Sequence, residues 1–362
     1  DGELPHRDAR IAAVILSILL AWITYRFIEK PIRFGNLRRL KIAVLSGTVF
    51  IVGLSGFLIS NSNFDQSRGY EDLLFKRKGF EHALGSSLKW YEGKQGWLFL
   101  GNSYANTVAK LRLSEVPNNK SIEANVKPFS ALAEAAALSN TKVALFIGPN
   151  KSSVYSEYLP DKLVPSTKRY ISFFTDQLNN IPNLTVYDPV NDLLRLKHSE
   201  GLLYWRTNTH WNSKGAFLAF SGFSELFELP IPKVKFVAGS IHSGDLIETS
   251  QLKDFPLSVG DDWKVVWGDT PSLTKETIPN KPTTSFGRAE VIVNKNPLSD
   301  KTVWVIGDSF TNTLKAYFNA TFKEIRYLGH WAGGNLNKLP QELITADKKP
   351  DMIVVIRVER SF

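Results

Sequence analysis

Two short runs near the end of the chain fix most of what it can fold into. Lys301-Thr-Val-Trp-Val-Ile306 and Met352-Ile-Val-Val-Ile356 are apolar at consecutive rather than alternate positions. A strand with one wet face alternates. A strand that does not alternate must be covered on both sides, the situation of a parallel sheet clad by helices. Lys142-Val-Ala-Leu-Phe-Ile147 has the same character and stops at Gly148-Pro149. Around these runs, Ser121–Ser139, Ser166–Asn179 and Lys214–Phe227 carry helical spacing, and Trp97–Leu100, Leu184–Asp188 and Glu324–Leu328 read as strands. Strands alternating with helices predict an α/β protein built as a three-layer α/β/α sandwich.

The first sixty residues belong to a different solvent. Ile11–Ile23, extended by Tyr25, Phe27 and Ile28, and Ile42–Ile59 each approach the ~20 apolar residues that span a bilayer. The segment between them, Arg26 to Lys41, holds six basic residues and one acid. The positive-inside rule places it in the cytoplasm, so that everything beyond residue 61 is extracytoplasmic. The expected organisation is a two-helix transmembrane hairpin at 1–61, a stalk or cap at 62–95, and a domain at 96–362. Residues 231–300, rich in Pro, Gly, Ser and Thr, interrupt that domain as an irregular insertion.

Charge and cysteine content narrow the chemistry. Of the formal +9, residues 62–362 carry 36 bases against 31 acids, with no basic run interleaved by aromatics, so nucleic acid is not the expected partner. The absence of cysteine excludes disulfides, thiolate catalysis and Cys-ligated zinc.

Chemistry concentrates at Val305-Ile306-Gly307-Asp308-Ser309-Phe310. A buried strand ends, Gly307 permits a sharp turn, and Ser309 stands at the carboxyl edge of the sheet, ahead of a helix expected over Asn312–Phe318. Open α/β sheets carry their sites at that edge, and the amides of the turn, with Gly307 and Asp308, face any oxyanion formed there. A serine nucleophile requires a base. Of six histidines, His210 alone sits in a packed loop ahead of a helix, Tyr204-Trp-Arg-Thr-Asn-Thr-His210-Trp-Asn212-Ser-Lys-Gly215. It is either the base or a residue that caps the following helix. Trp205, Trp211 and Trp331 are either sugar-stacking platforms or core.

Two resemblances attach to these residues. Ser17–Arg33, with Tyr25-Arg-Phe-Ile-Glu-Lys-Pro-Ile-Arg33, resembles the closing helix of the type 3 membrane acyltransferases, which move acyl groups across the inner membrane. The soluble part resembles the alginate O-acetyltransferase (AlgX/AlgJ-like) SGNH family in seven ordered blocks. They are Gly96–Leu100, Pro149–Tyr155 with Tyr158–Pro160, Tyr187-Asp188, Thr209–Asn212 with Gly215, Gly244-Asp-Leu246, Gly307–Phe310 and Pro350–Val355. That resemblance implies an SGNH-hydrolase-like sandwich with permuted motif order, the histidine block preceding the nucleophile. It also implies acetyl transfer to a polysaccharide hydroxyl through an ester on Ser309, without metal or soluble cofactor. The implied partners are a polysaccharide acceptor, an acyl donor relayed by a membrane acyltransferase domain, and the lipid bilayer. The implied location is the bacterial inner membrane, with the catalytic domain in the periplasm or outside.

The chain departs from the family at Asn208, where the pattern has an acid two residues before the histidine. Three accounts stand open: a slow enzyme, another acid serving His210, or a module that binds acyl glycan without turning it over. A carbohydrate esterase with the same residues is a further alternative. The oxyanion donors are also open. Arg360 either holds an oxyanion or uronate, or pairs with Glu359. Gly333-Gly334-Asn335 is either a backbone donor or a plain loop, and Lys151 is either a contact to acyl or sugar groups or a surface ion pair.

Overall fold

The computed structural model describes residues 88–250, 255, 257–277 and 290–362, with isolated positions between 14 and 30 and residues 47 and 54. The chain divides into two compact units, Asp1–Asp72 and Leu73–Phe362. In the first, the described positions are helical and include a π-helical turn at Tyr25–Glu29. Among the described residues no helix is long and apolar enough to cross a membrane. The expected hairpin is described only in pieces, and its second span, its basic loop beyond residue 30 and residues 62–87 of the expected stalk lie outside the described residues, save positions 47 and 54.

The second unit opens with a small antiparallel ribbon of β1 (Trp90–Glu92) and β2 (Leu98–Leu100). In chain order there follow α1 (Thr107–Arg112), α2 (Asn119–Ala137), β3 (Lys142–Gly148), α3 (Lys151–Val154), α4 (Ser172–Leu178), β4 (Leu184–Tyr187), α5 (Val190–Glu200) and α6 (Ser213–Leu226). Then come β5 (Val234–Ala238), α7 (Asp245–Ser250), β6 (Trp263–Trp267), β7 (Leu273–Thr277), β8 (Glu290–Asn294) and β9 (Ser299–Gly307). The chain finishes with α8 (Thr311–Thr321), β10 (Phe322–Tyr327), α9 (Asn335–Thr345) and β11 (Met352–Val358).

Among the described residues, the main sheet has the order β4-β3-β11-β9-β10-β8-β7. The five strands from β4 to β10 are parallel, and β8 and β7 close one edge antiparallel. The period-2 geometry of a strand divides their side chains between two cores. Ala144, Phe146, Val303, Val305, Val354 and Ile356 pack on Phe220 and Phe223 of α6 and on Leu314 and Phe318 of α8. Val143, Leu145, Ile147, Trp304, Ile306, Ile353 and Val355 pack on Phe129 of α2, Phe174 of α4 and Leu339 of α9. The unbroken apolar runs are thus explained by two clad faces, and the result is a helix–sheet–helix sandwich.

The described strands within 231–300 do two different things. β5 and β6 form a separate ribbon whose Phe236 ring packs 5.5 Å from Phe217 of α6. β7 and β8 instead extend the main sheet. Leu273-Thr-Lys-Glu-Thr277 is too polar to announce itself as a sheet strand, because an antiparallel edge keeps one face in water.

The central strands end in register: Val358 lies opposite Gly148, and Ile356 opposite Gly307. The turns after β3, β9 and β11 therefore meet at one edge, where the candidate residues lie. Gly148 is required there, since a Cβ would fall 2.5 Å from the Phe310 ring. The core beneath rests on aromatic contacts such as Phe223 against Phe146, 5.1 Å between ring centroids. Phe223 is wholly buried, and Phe223→Ala is expected to cost about 3–5 kcal/mol, read as a lower midpoint of urea unfolding.

Candidate active site

The histidine loop is built before its histidine is placed. Asn212 caps α6, its side-chain oxygen accepting the Gly215 N–H at 2.9 Å while its amide donates to the carbonyls of Leu202 and Asp261. Trp211, fully buried, donates its indole N–H to the Phe310 carbonyl and packs edge-on against Phe310. On the other side of the loop, the Leu98 and Leu246 amides donate to the carbonyls of Arg206 and Thr207. Asp261 accepts the Arg206 N–H at 2.8 Å. His210 is left with little freedom and 19% of its side chain exposed.

The turn carrying Ser309 is equally constrained. Ser309 is exposed between two buried residues, Asp308 and Phe310. Asp308 turns inward: one carboxylate oxygen accepts the Phe310 N–H at 3.0 Å, the other the Val358 N–H at 2.7 Å and the Trp331 indole N–H at 3.3 Å. Gly307 is required by close approach and not by a left-handed backbone, since a Cβ would lie 2.1 Å from Thr311 Oγ1 and 2.9 Å from Ile356.

These two constructions bring Ser309 Oγ to 2.7 Å from His210 Nε2, across 99 residues of sequence. The far nitrogen, Nδ1, faces three oxygens: Asn208 Oδ1 at 2.8 Å, Thr209 Oγ1 at 3.1 Å and Asp245 Oδ2 at 3.3 Å. Asn208 Oδ1 also accepts the His210 backbone N–H at 3.0 Å, so it is the oxygen that faces the ring and Nδ1 carries the proton. Nε2 is then unprotonated and accepts from the Ser309 hydroxyl, the arrangement a general base needs.

Asp245 was legible in the sequence as part of a family block but not as a member of the site. Both its oxygens bind Thr209, from the backbone N–H at 2.7 Å and the hydroxyl at 2.6 Å. Partial burial works against its ionisation, but hydrogen bonds from His210 and Thr209 outweigh it and hold the carboxyl below its ordinary value.

The remaining candidates divide. Lys151, expected at substrate or in a surface ion pair, is buried, and its ammonium donates to the carbonyls of Trp205 (3.1 Å), Arg206 (2.8 Å) and Asn208 (2.7 Å). It positions the histidine loop. The Gly307 N–H donates to the Gly329 carbonyl and the Asn335 side chain to the His330 carbonyl, so neither group is turned toward a ligand. Gly334 takes φ 80° at the start of α9, closing the loop that brings Trp331 to Asp308. Of the two alternatives for Arg360, the pairing with Glu359 does not form. Glu359 accepts from Arg169 Nε, the Asn150 N–H and the Ser153 hydroxyl, each at 2.8 Å. Arg360 makes no ion pair among the described residues. Its guanidinium lies over the Phe310 ring, 5.6 Å from the centroid, and lines both a small pocket beside Thr209 and an adjoining cleft of about 250 Å³. Among the three tryptophans, Trp211 is core, and Trp205 and Trp331 hydrogen-bond to Asp262 and Asp308.

Among the described residues no cluster of His, Cys, Asp and Glu is suited to a metal ion. A serine and a histidine joined at the carboxyl edge of a clad parallel sheet, in that inverted chain order, define a site of the SGNH hydrolase type. Residues 91–325 match the family described as an SGNH hydrolase-like domain, acetyltransferase AlgX, and the chain belongs to that family. Comparison with curated protein sequences finds no match. Among solved structures, PatB1 of Bacillus cereus with a sulfonyl adduct aligns with TM-score 0.52 and 14% identity, over 75% of this chain and 95% of that one. A DHHW family protein from Eubacterium siraeum aligns with TM-score 0.50 and 15% identity over 76% and 95%. The O-acetyltransferase domain of Pseudomonas putida AlgJ aligns at 0.46 and 17% over 75% and 91%. At these identities PatB1 and the DHHW protein support the fold alone.

Lys151 yields a test of the scaffold. Burial pushes its ammonium down to about 7, with Asp245 and Asp261 pulling the other way. Lys151→Met strands three carbonyls and is expected to cost about 2 kcal/mol. Because the folded-state value lies below the ordinary one, the unfolded chain binds the extra proton between about pH 7 and 10, and the native state of the unaltered protein gains from rising pH there. The stability difference between the two proteins should therefore widen from pH 7 to 10 in urea titrations.

Proposed function

We propose that this protein is an O-acetyltransferase that acylates hydroxyls of an envelope or secreted polysaccharide through an ester on Ser309. The observation that carries the reading is the 2.7 Å contact between Ser309 Oγ and the unprotonated Nε2 of His210, within a member of an acetyltransferase family. In the first half-reaction His210 takes the hydroxyl proton as Oγ attacks the acetyl carbonyl of the donor. Collapse of the tetrahedral intermediate expels the donor's leaving group, which receives that proton from His210. In the second, His210 deprotonates a sugar hydroxyl, which attacks acetyl-Ser309, and the proton returns to Oγ as the ester passes to the sugar. The oxyanion in each step is held by the Ser309 amide at the head of α8 and by the positive charge of Arg360.

The acetyl donor reaches Ser309 from an inner-membrane acyltransferase segment, and the acceptor lies in the periplasm or outside. Support for this placement is the resemblance of Ser17–Arg33 to a membrane acyltransferase's closing helix. The same residues hydrolyse the ester if water takes the place of the sugar. Incubation with an activated acetyl ester, with and without an oligosaccharide, separates the two outcomes: the transferase yields acetylated oligosaccharide, the esterase free acetate alone. Ser309→Ala is expected to lower product formation at least about 10³-fold and to leave its peptide unacetylated by mass spectrometry, as removal of a nucleophile does in serine enzymes. Acetylation of the Ser309→Ala protein at the rate of the unaltered one would exclude the mechanism.

A further inference from the structure

Asn208 stands where a serine–histidine site needs a negative charge. An amide oxygen can fix the tautomer of an imidazole, but it does not stabilise the imidazolium that forms when the serine gives up its proton. Either the site lacks that charge or another element brings it.

We propose that Asp245, from the start of α7, supplies the negative charge for His210, leaving Asn208 to orient the ring; this rests on the acyl-serine reading above. Three observations carry it. Asp245 Oδ2 lies 3.3 Å from His210 Nδ1. The Thr209 hydroxyl bridges them, donating to that oxygen at 2.6 Å and offering its own lone pair to Nδ1 at 3.1 Å. The backbone is also shaped for the approach. A Cβ on Gly244 would fall 2.1 Å from the Thr207 carbonyl and 2.7 Å from the Asn208 amide, so only glycine lets this segment lie against the histidine loop. The Leu246 N–H then donates to that same Thr207 carbonyl, locking the register that aims Asp245.

The division of labour follows from what each group can do. Asn208 accepts both the backbone and the ring N–H of His210, which a neutral oxygen does without drawing the proton off the ring. Asp245 remains ionised beside it, its carboxyl held below the ordinary value. When Nε2 takes the serine proton, the new positive charge faces a carboxylate one atom shell away. Asp245 is a positioning and charge-supplying residue and touches no substrate atom.

The test is a cycle on the full chain, reading the rate at which an activated acetyl ester acetylates Ser309, by mass spectrometry. Asp245→Asn preserves the shape and is expected to slow acylation about 100-fold, toward the loss seen when the corresponding aspartate of serine proteases becomes asparagine. Asn208→Asp, which places a charge at the alternative position, should restore the Asp245→Asn protein at least about 10-fold, because the two carboxylates serve one imidazole. If Asp245 merely braces Thr209, the charge at 208 will not rescue. Equal rates for Asp245→Asn and the unaltered protein, or loss without rescue in proteins with unchanged melting behaviour, overturn the assignment. Failure of the unaltered protein to acetylate at Ser309 would instead overturn the acyl-serine reading, and the assignment with it.

Discussion

A single buried ammonium holds the site together. Lys151 opens α3, just past the end of β3, and the loop carrying His210 is more than fifty residues further on. Its ammonium spends all three protons on carbonyls of that loop, two of them consecutive, with the Trp97 and Phe99 rings 5.6 Å and 5.3 Å away. Burying a lysine is costly unless its donors are used. Here part of that cost is offset by carbonyls that would otherwise be buried without partners, so lysine and loop support each other. The position of the imidazole over Ser309 is downstream of that exchange.

The other charges at the sheet edge are arranged by the same logic. Arg169 bridges Asp188, after β4, and Glu359, after β11. Glu359 in turn takes the Asn150 amide and the Ser153 hydroxyl. The Lys110 ammonium holds the backbone carbonyls of Arg360 and Phe362. These contacts tie together the segments beyond the strand ends, where the sheet's own hydrogen bonds stop. The guanidinium of Arg360 is left without an ion pair among the described residues, at the boundary between the site and its neighbouring cleft.

How much of this was legible in the sequence depends on the distance over which each signal acts. Ser309 could be placed because its own strand and turn announce it, and His210 because its loop and helix cap are local. The parallel strands were evident from unbroken apolar runs, whereas β7 was hidden by the polar residues of an edge. Lys151 was misplaced because lysines are seldom buried, and nothing near it in sequence shows the carbonyls that satisfy it. Asp245 belonged to a recognisable block, yet its proximity to His210 comes from Gly244 resting on Thr207, a contact between segments thirty-odd residues apart. Between the two alternatives open for Arg360, adjacency to Glu359 in sequence favours neither. The backbone sends the two residues to different neighbours.

Asp308 fixes the serine's side of the site. With three N–H groups from the nucleophile turn, the last strand and the Trp331 loop converging on one carboxylate, those pieces shift as a block or not at all. The histidine side is assembled from a loop and two-stranded ribbons, held by backbone and side-chain bonds between segments distant in sequence. The clasp thus holds the Ser309 hydroxyl in one place relative to the last strand and the Trp331 loop. A substitution at Asp308 is accordingly felt in all three segments at once, whereas one in the ribbons is not.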